Sequence, residues 1–312
     1  MVRIPHVTGL FSRITRVGRL VPMMLVLAVV GCGAGSAAGS VVTGLHPKAS
    51  ATSHVVIIVM ENKGDTDVIG KKSSPFVNAL AKRWGLATQS YAVAHPSLPN
   101  YLALTSGSTH GIRSDCTACT VPGPSIGTQL NTAGISWKAY LQNYPRPGTC
   151  RKGDSGLYAQ RHNPFVYYRN NSALCRHLVG FPTLQSDINH GTLPTFVWIT
   201  PNTCNDTHDC GVRTGDTFLH SLVPALVREL GPHGYLVVTW DEGTSNTHGG
   251  GHIATVVAGP DVRAGGRSAG YVNHYGVLGT IERSLKLPLL GAAGSSASGS
   301  LNPLFTHAPV LR

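Results

Sequence analysis

The order of the hydrophobic runs predicts an α/β fold with a mainly parallel central sheet. Strand-like and helix-spaced segments alternate along the chain, as they do in parallel sheets. The strand-like runs are continuously apolar and β-branched, as in Val55-Val56-Ile57-Ile58-Val59-Met60. A strand covered on both faces reads this way, whereas a half-exposed one alternates. Three of the runs also stop in polar, metal-competent residues. In open α/β sheets the ligand site lies just beyond the carboxyl ends of the strands.

Taken in order, the first strand is Val55–Met60, ending in Glu61-Asn62. Residues 75–84 read as a helix with Ser73 and Ser74 available as caps, and residues 99–106 as a second helix starting at a proline. Residues 113–190 are Cys-, Gly- and Pro-rich and weakly periodic. They are expected to form a disulfide-stapled insertion over the active face. A short buried strand over 195–199 ends in Thr200-Pro201-Asn202. Residues 218–230 have helical spacing. Tyr235–Trp240 is the next strand, ending in Asp241-Glu242, and 253–258 is a later one, stopped by Gly259-Pro260. Residues 274–285 form the final helix. The tail, 291–312, is Gly/Ser-rich and expected to be poorly ordered. The three polar strand ends should therefore converge on one site.

The N-terminus reads as an export signal over residues 1–31. Arg3, Arg13, Arg16 and Arg19 precede an apolar run from Leu20 to Val30, too short to span a membrane. Val29-Val30-Gly31-Cys32 resembles a bacterial lipobox, which would attach the protein to a membrane through a lipidated Cys32. The other reading is an ordinary signal peptide cut near Ala38. Both place the mature protein outside the cytoplasm, secreted or on the cell surface. Residues 32–52 read as a flexible linker, and 53–290 as the folded domain. Without Cys32 six cysteines remain, an even set that suggests disulfides in an exported chain and leaves their pairing open. Removing four Arg and no acid from a net +11 leaves +7, a balance suited to an anionic substrate. The basic residues are scattered, so no nucleic acid is expected as a partner.

Several groups carry chemistry. Asp241-Glu242 and Glu61 offer the carboxylate oxygens that hard divalent cations take, and Asn62 can donate to a phosphate oxygen. His248-Gly-Gly-Gly-His252 follows the acidic pair and adds His252 as a ligand candidate. His95-Pro96-Ser97-Leu98-Pro99-Asn100-Tyr101 sets a serine between two prolines at a helix N-terminus, where free N–H groups favour an anion. Cys204-Asn205-Asp206-Thr207-His208-Asp209-Cys210 packs three ionisable groups into a tight loop, with His208 a candidate general acid. Arg161-His162-Asn163-Pro164 adds a further imidazole.

These segments together resemble the phosphoesterase family of bacterial acid phosphatases and phospholipases C, within the wider alkaline-phosphatase-like superfamily. The resemblance is carried by residues 54–62, 94–107 (AHPSLPNYLALTSG), 158–167 (YAQRHNPFVY), 201–218 (PNTCNDTHDCGVRTGDTF), 236–242 and 274–288 (HYGVLGTIERSLKLP). It implies an alkaline-phosphatase-like sandwich with a mainly parallel sheet flanked by helices. Ser97-Leu98-Pro99-Asn100 matches the nucleophile turn, which makes Ser97 the expected nucleophile. Glu61, Asp241 and Glu242 fall at the metal site, Asn62, Asn100 and His162 at the phosphate, and His208 at the leaving group, with Asp206 supporting it. Where two-metal relatives place an Asp and a His four residues apart, this chain has Asn202 and then His208 six on. One divalent ion is therefore expected (Ca, Mg, Mn or Zn), and a second lacks its usual ligands. Asp216 is expected to be structural. The implied activity is hydrolysis of phosphate monoesters, on small molecules or phospholipid phosphates. The alternatives are a phospholipase C-type phosphodiesterase and, more distantly, a non-catalytic anion-binding lipoprotein.

Overall fold

The computed structural model describes residues 52–170 and 172–311. The export signal, Cys32 and the linker up to residue 51 lie outside the described residues. The strands are β1 (Val55–Met60), β2 (Gly85–Ala87), β3 (Ser90–Tyr91), β4 (Trp137–Leu141), β5 (Leu178–Val179), β6 (Phe196–Thr200), β7 (Tyr235–Trp240), β8 (Thr255–Ala258), β9 (Arg267–Ser268) and β10 (Val272–Asn273). The helices are α1 (Asp65–Val68), α2 (Pro75–Arg83), α3 (Ser97–Ser106), α4 (Ile126–Thr132), α5 (Ser172–Cys175), α6 (Phe181–His190), α7 (Val212–Glu229) and α8 (His274–Ser284).

Eight strands form one sheet in the order β5-β4-β6-β1-β7-β8-β2-β9. From β5 through β7 neighbours run parallel, and β8 runs antiparallel to β7 and to β2. The β-branched β1 lies in the middle, paired with β6 and β7, and every residue of it is buried. A central strand with no exposed face requires helices on both sides. One group, α2, α6 and α7, packs together, and so does a second, α3, α4 and α8. The parallel order places the ends of β1, β6 and β7 side by side, so Glu61, Thr200 and Asp241 share one edge.

Three expectations change. The stretch over 113–190 is partly sheet, because Trp137, Ala139, Tyr140 and Leu141 of β4 are buried against β6. Its one charge, Lys138, reaches out to Asp187 (2.6 Å). The tail is part of the core. Its Gly/Ser composition hides Leu301, Leu304 and Phe305, all buried, with Phe305 set edge-on to Tyr235 at 5.1 Å. Helix α7 starts six residues earlier than its apolar spacing suggests. Asp216 on its first turns accepts N–H bonds from Phe76 (3.1 Å) and Val77 (2.9 Å), capping α2 as the structural residue expected. The cysteines pair with their neighbours in sequence: Cys116–Cys119, Cys150–Cys175 and Cys204–Cys210. Among the described residues no helix is long and apolar enough to cross a membrane.

Candidate active site

The strand ends are laced by their own backbone. The N–H of Glu61 donates to Asp206 O (2.7 Å) and that of Asp241 to Met60 O (2.8 Å). Asn62 turns into the left-handed region (φ 53°), which Asn tolerates, and donates its N–H to Asp241 Oδ1 (3.0 Å). Ser97 is the first residue of α3. Its hydroxyl donates to Glu61 Oε2 (3.0 Å) and lies 3.5 Å from Glu242 Oε1. One helical turn on, Tyr101 donates to Glu61 Oε1 and stacks on the His162 ring at 5.5 Å. His162 Nε2 lies 3.3 Å from Glu61 Oε2, and its Nδ1 3.3 Å from Asp206 Oδ2.

Ser97, Glu61, Asp241, Glu242, His162, Asp206 and His208 are thus brought together as the sequence implied. Asn100 and His252 are not. The Asn100 side chain accepts from the N–H of Val93 and Ala94 (both 3.1 Å) and donates to Ala94 O (2.8 Å) and Pro96 O (3.2 Å). All its hydrogen-bonding capacity holds the loop that carries Ser97, which leaves none for a phosphate. His252 turns its ring to Thr88 O (3.0 Å), to Asp65 (3.9 Å) and to the Tyr91 ring. The glycines between His248 and His252 serve close packing instead. A Cβ on Gly249 or Gly250 would lie 2.4 Å from the carbonyl oxygen of Val93 or Ala94. Asp206 accepts the backbone N–H of His208 (2.7 Å), while the His208 ring leans on Asp209 (2.6 Å).

Four residues that contact this group were given no role in the sequence reading. His95 Nδ1 pairs with Glu242 Oε2, and its Nε2 reaches Ser245 O (3.0 Å). Arg161 donates to His208 Nε2 (3.1 Å) and lies 3.6 Å from Asp115. Asp115 in turn accepts the N–H of Leu98 at the start of α3 (2.9 Å). The fourth is Tyr101, four residues after Ser97 and so on the same helix face, a spacing that could have flagged it. His95 and Arg161 each adjoin a recognised motif residue. Asp115 has no local signal.

The electrostatics are those of acids gathered out of water. Burial, then the charges of Asp241 and Asp206, hold the Glu61 carboxyl well above its ordinary range. Burial pushes Asp206 up to about 7, and burial with Glu242 pushes Asp241 up to about 8. Glu242 is raised by burial as well. His162 is driven well below its ordinary value by burial, then by Arg161 and His208, so its ring is neutral. His95 is raised: burial opposes its charge, but the Ser245 carbonyl and the Glu242 carboxylate outweigh it.

A divalent cation fits this chemistry. Glu61, His162 and Asp206 each place a ligand atom within 4.8 Å of the others. Asp206 Oδ2, Asp241 Oδ2 and both ring nitrogens of His162 are buried yet make no hydrogen bond among the described residues. Buried polar atoms seldom go unpaired, and carboxylates with an imidazole are what a divalent ion takes.

Comparison with known proteins agrees. A protein of Mycobacterium tuberculosis described as a phosphatidylinositol-3-phosphatase is 36% identical over 280 residues, which cover 86% of this chain and 90% of that one. An acid phosphatase of Aspergillus fumigatus is 29% identical over 227 residues, covering 68% of this chain and about half (51%) of its own length. The fold is that of a Vibrio parahaemolyticus protein of the alkaline phosphatase superfamily (TM-score 0.52, 13% identity, 76% of this chain and 67% of that one). The sequence profile of the phosphoesterase family matches residues 70–288, the span that holds Ser97, Asp206, His208 and the Asp241-Glu242 pair. The chain belongs to the phosphoesterase family and is a hydrolase of phosphoric ester bonds.

Proposed function

We propose that the chain hydrolyses phosphate monoesters through a phosphoserine formed on Ser97, assisted by a divalent ion. The observation that carries this is the Ser97 hydroxyl at the α3 N-terminus, 3.0 Å from Glu61 within a nest of buried carboxylates. Glu61, Asp241 and Glu242 would hold the ion together with His162 and Asp206, whose ligand atoms lie within 4.8 Å of that of Glu61. The bound ion supplies charge that neutralises these acids, polarises the phosphoryl group and favours the Ser97 alkoxide.

The protein's own groups do the rest. Ser97 Oγ bonds to phosphorus as the ester oxygen departs. The serine proton has an acceptor in place at Glu61. The substrate phosphate takes over the Leu98 N–H and the Arg161 guanidinium that Asp115 engages in the free protein. Arg161 thereby releases His208 Nε2, which takes a proton from solvent and passes it to the leaving ester oxygen. Water then cleaves the phosphoserine. Charge spread over the equatorial oxygens is what such a donor set stabilises. The named activity of the mycobacterial relative makes a phosphoinositide monoester a substrate class to include. The Arg-rich N-terminus and Cys32 support export to the cell surface.

The test uses p-nitrophenyl phosphate, bis-p-nitrophenyl phosphate and phosphatidylinositol 3-phosphate, with wild type and Ser97→Ala, with and without EDTA. The expected result is monoester turnover that EDTA abolishes and that Ser97→Ala lowers by at least about 10³-fold with the fold intact. Diester turnover alone, or near-normal rates in Ser97→Ala, would sink the proposal.

A further inference from the structure

A second group of metal-competent side chains lies away from the acids described above. His233 stands in the turn before β7, Asp261 follows β8, and His307 belongs to the tail. Because β8 runs antiparallel to β7, with Leu236 opposite Ala258, the start of β7 and the end of β8 share one end of the sheet. Asp241 follows the other end of β7. The two sites are therefore separated by the length of a strand.

The three residues converge on a single oxygen. His233 Nδ1 lies 2.9 Å from Asp261 Oδ2, and His307 Nε2 lies 3.4 Å from that same atom. All three ligand atoms fall within 4.8 Å of one another. A tetrahedral ion bound at about 2.0–2.2 Å has its ligands spaced about 3.3–3.6 Å apart, so small side-chain shifts suffice.

The orientation of His307 is fixed by a second contact. Its Nδ1 lies 3.1 Å from Thr306 Oγ1, and Thr306 gives both its N–H (2.9 Å) and its hydroxyl (3.1 Å) to Asp261 O. The hydroxyl proton is thus committed to Asp261. Nδ1 therefore donates to the Thr306 hydroxyl oxygen, which turns Nε2 towards Asp261 Oδ2. Nε2 and the carboxylate oxygen thus face one another across 3.4 Å, the spacing of two ligands on one tetrahedral ion. A partner on the far ring nitrogen is the support that metal-bound histidines habitually have. The backbone beneath is firm: Arg263 N–H donates to Leu304 O (2.8 Å), Arg263 Nε to Phe305 O (2.8 Å), and Phe305 is buried on Tyr235. His307 is 62% exposed along its side chain, which leaves an ion access and room for water as a fourth ligand.

We propose that His233, Asp261 and His307 form a zinc site that clips the C-terminal segment to the end of the sheet. Two imidazole nitrogens and one carboxylate suit Zn²⁺, whereas Mg²⁺ and Ca²⁺ prefer all-oxygen sets. The site is structural and independent of phosphate hydrolysis.

The test compares the metal-free full chain with His307→Ala and His233→Ala, titrated with Zn²⁺ and dialysed to equilibrium. Zinc content is read per chain, together with the melting temperature and p-nitrophenyl phosphate turnover at a saturating level of the activating ion. Wild type should retain one more zinc per chain than either variant. Zinc should raise its melting temperature more than theirs, with turnover alike in all three. Equal zinc content in the three proteins overturns the site, and loss of zinc together with loss of turnover overturns its independence. Because His307 is exposed, its alanine variant keeps the comparison valid should His233→Ala fold poorly.

Discussion

Arg161 joins the two halves of the candidate site, since its guanidinium touches both the His208 ring and the Asp115 carboxylate. A planar fork of donors beside an anion-binding helix start suits a phosphate dianion. Arg161→Ala should lower kcat/KM for monoesters by about 10–100-fold, the loss of one or two charge-assisted hydrogen bonds. Arg161→Lys should recover only part of that, because a point charge lacks the fork. Steady-state kinetics of the three proteins decide it. Residues such as Ser97, Glu61, Asp241 and Glu242 were legible because chemistry and position coincide: each stands at a strand end or a helix start that hydrophobic patterning locates. Arg161 and Asp115 lie in loops, and only the folded chain brings them together. Asn100 and His252 were misread for the converse reason. Each sits in a motif beside residues that the fold gathers at the candidate site, but its polar atoms are consumed by neighbouring backbone.

At the scale of elements, what matters is how the Ser97 loop is held. Asn100 ties residues 93–96 to α3, and the glycines at 249 and 250 let the segment after Asp241-Glu242 lie directly against the same loop. Gly215 does the like for the third strand end: a Cβ there would come 2.3 Å from Thr207 Cγ2, so only glycine lets α7 pack under the 204–210 loop. Asn100→Ala leaves the N–H groups of Val93 and Ala94 without their acceptor. It should cost about 2–4 kcal/mol of stability, read by urea unfolding, and lower kcat through misplacement of Ser97. A raised KM with unchanged stability would instead return Asn100 to the phosphate. The long buried strands and the helices α2, α3, α7 and α8 were plain in the sequence, whereas α6 was hidden in the stretch read as weakly periodic. β4 and β5 were not plain either, because two to five residues among prolines, glycines and cysteines carry too little periodicity to stand out, and tertiary packing alone makes them strands.

At the scale of the whole molecule, the buried acids tie stability to pH and to metal. Asp206, raised to about 7, and Asp241, raised to about 8, keep their protons in the metal-free fold, whereas 3.8 is their ordinary value. Between these limits the folded chain binds more protons than the unfolded one. The stability they confer is therefore full below about pH 4 and is lost as pH rises through 7 to 8. In EDTA the melting temperature should fall from pH 5 to pH 8, and a divalent ion should stabilise more at pH 8 than at pH 5, because binding displaces those protons. Asp241→Asn should flatten the EDTA slope. The central place of β1 carries a different consequence, for the time course of folding. Val55–Met60 leaves the ribosome early, yet its partners Phe196–Thr200 and Tyr235–Trp240 are made far later. Until then six consecutive apolar, uncharged residues have no neighbours, and such a hexapeptide is the kind of stretch that associates between chains. The strand that organises the sheet is thus also the segment most in need of a chaperone's cover during synthesis, and the non-local pairing it waits for should make folding slow.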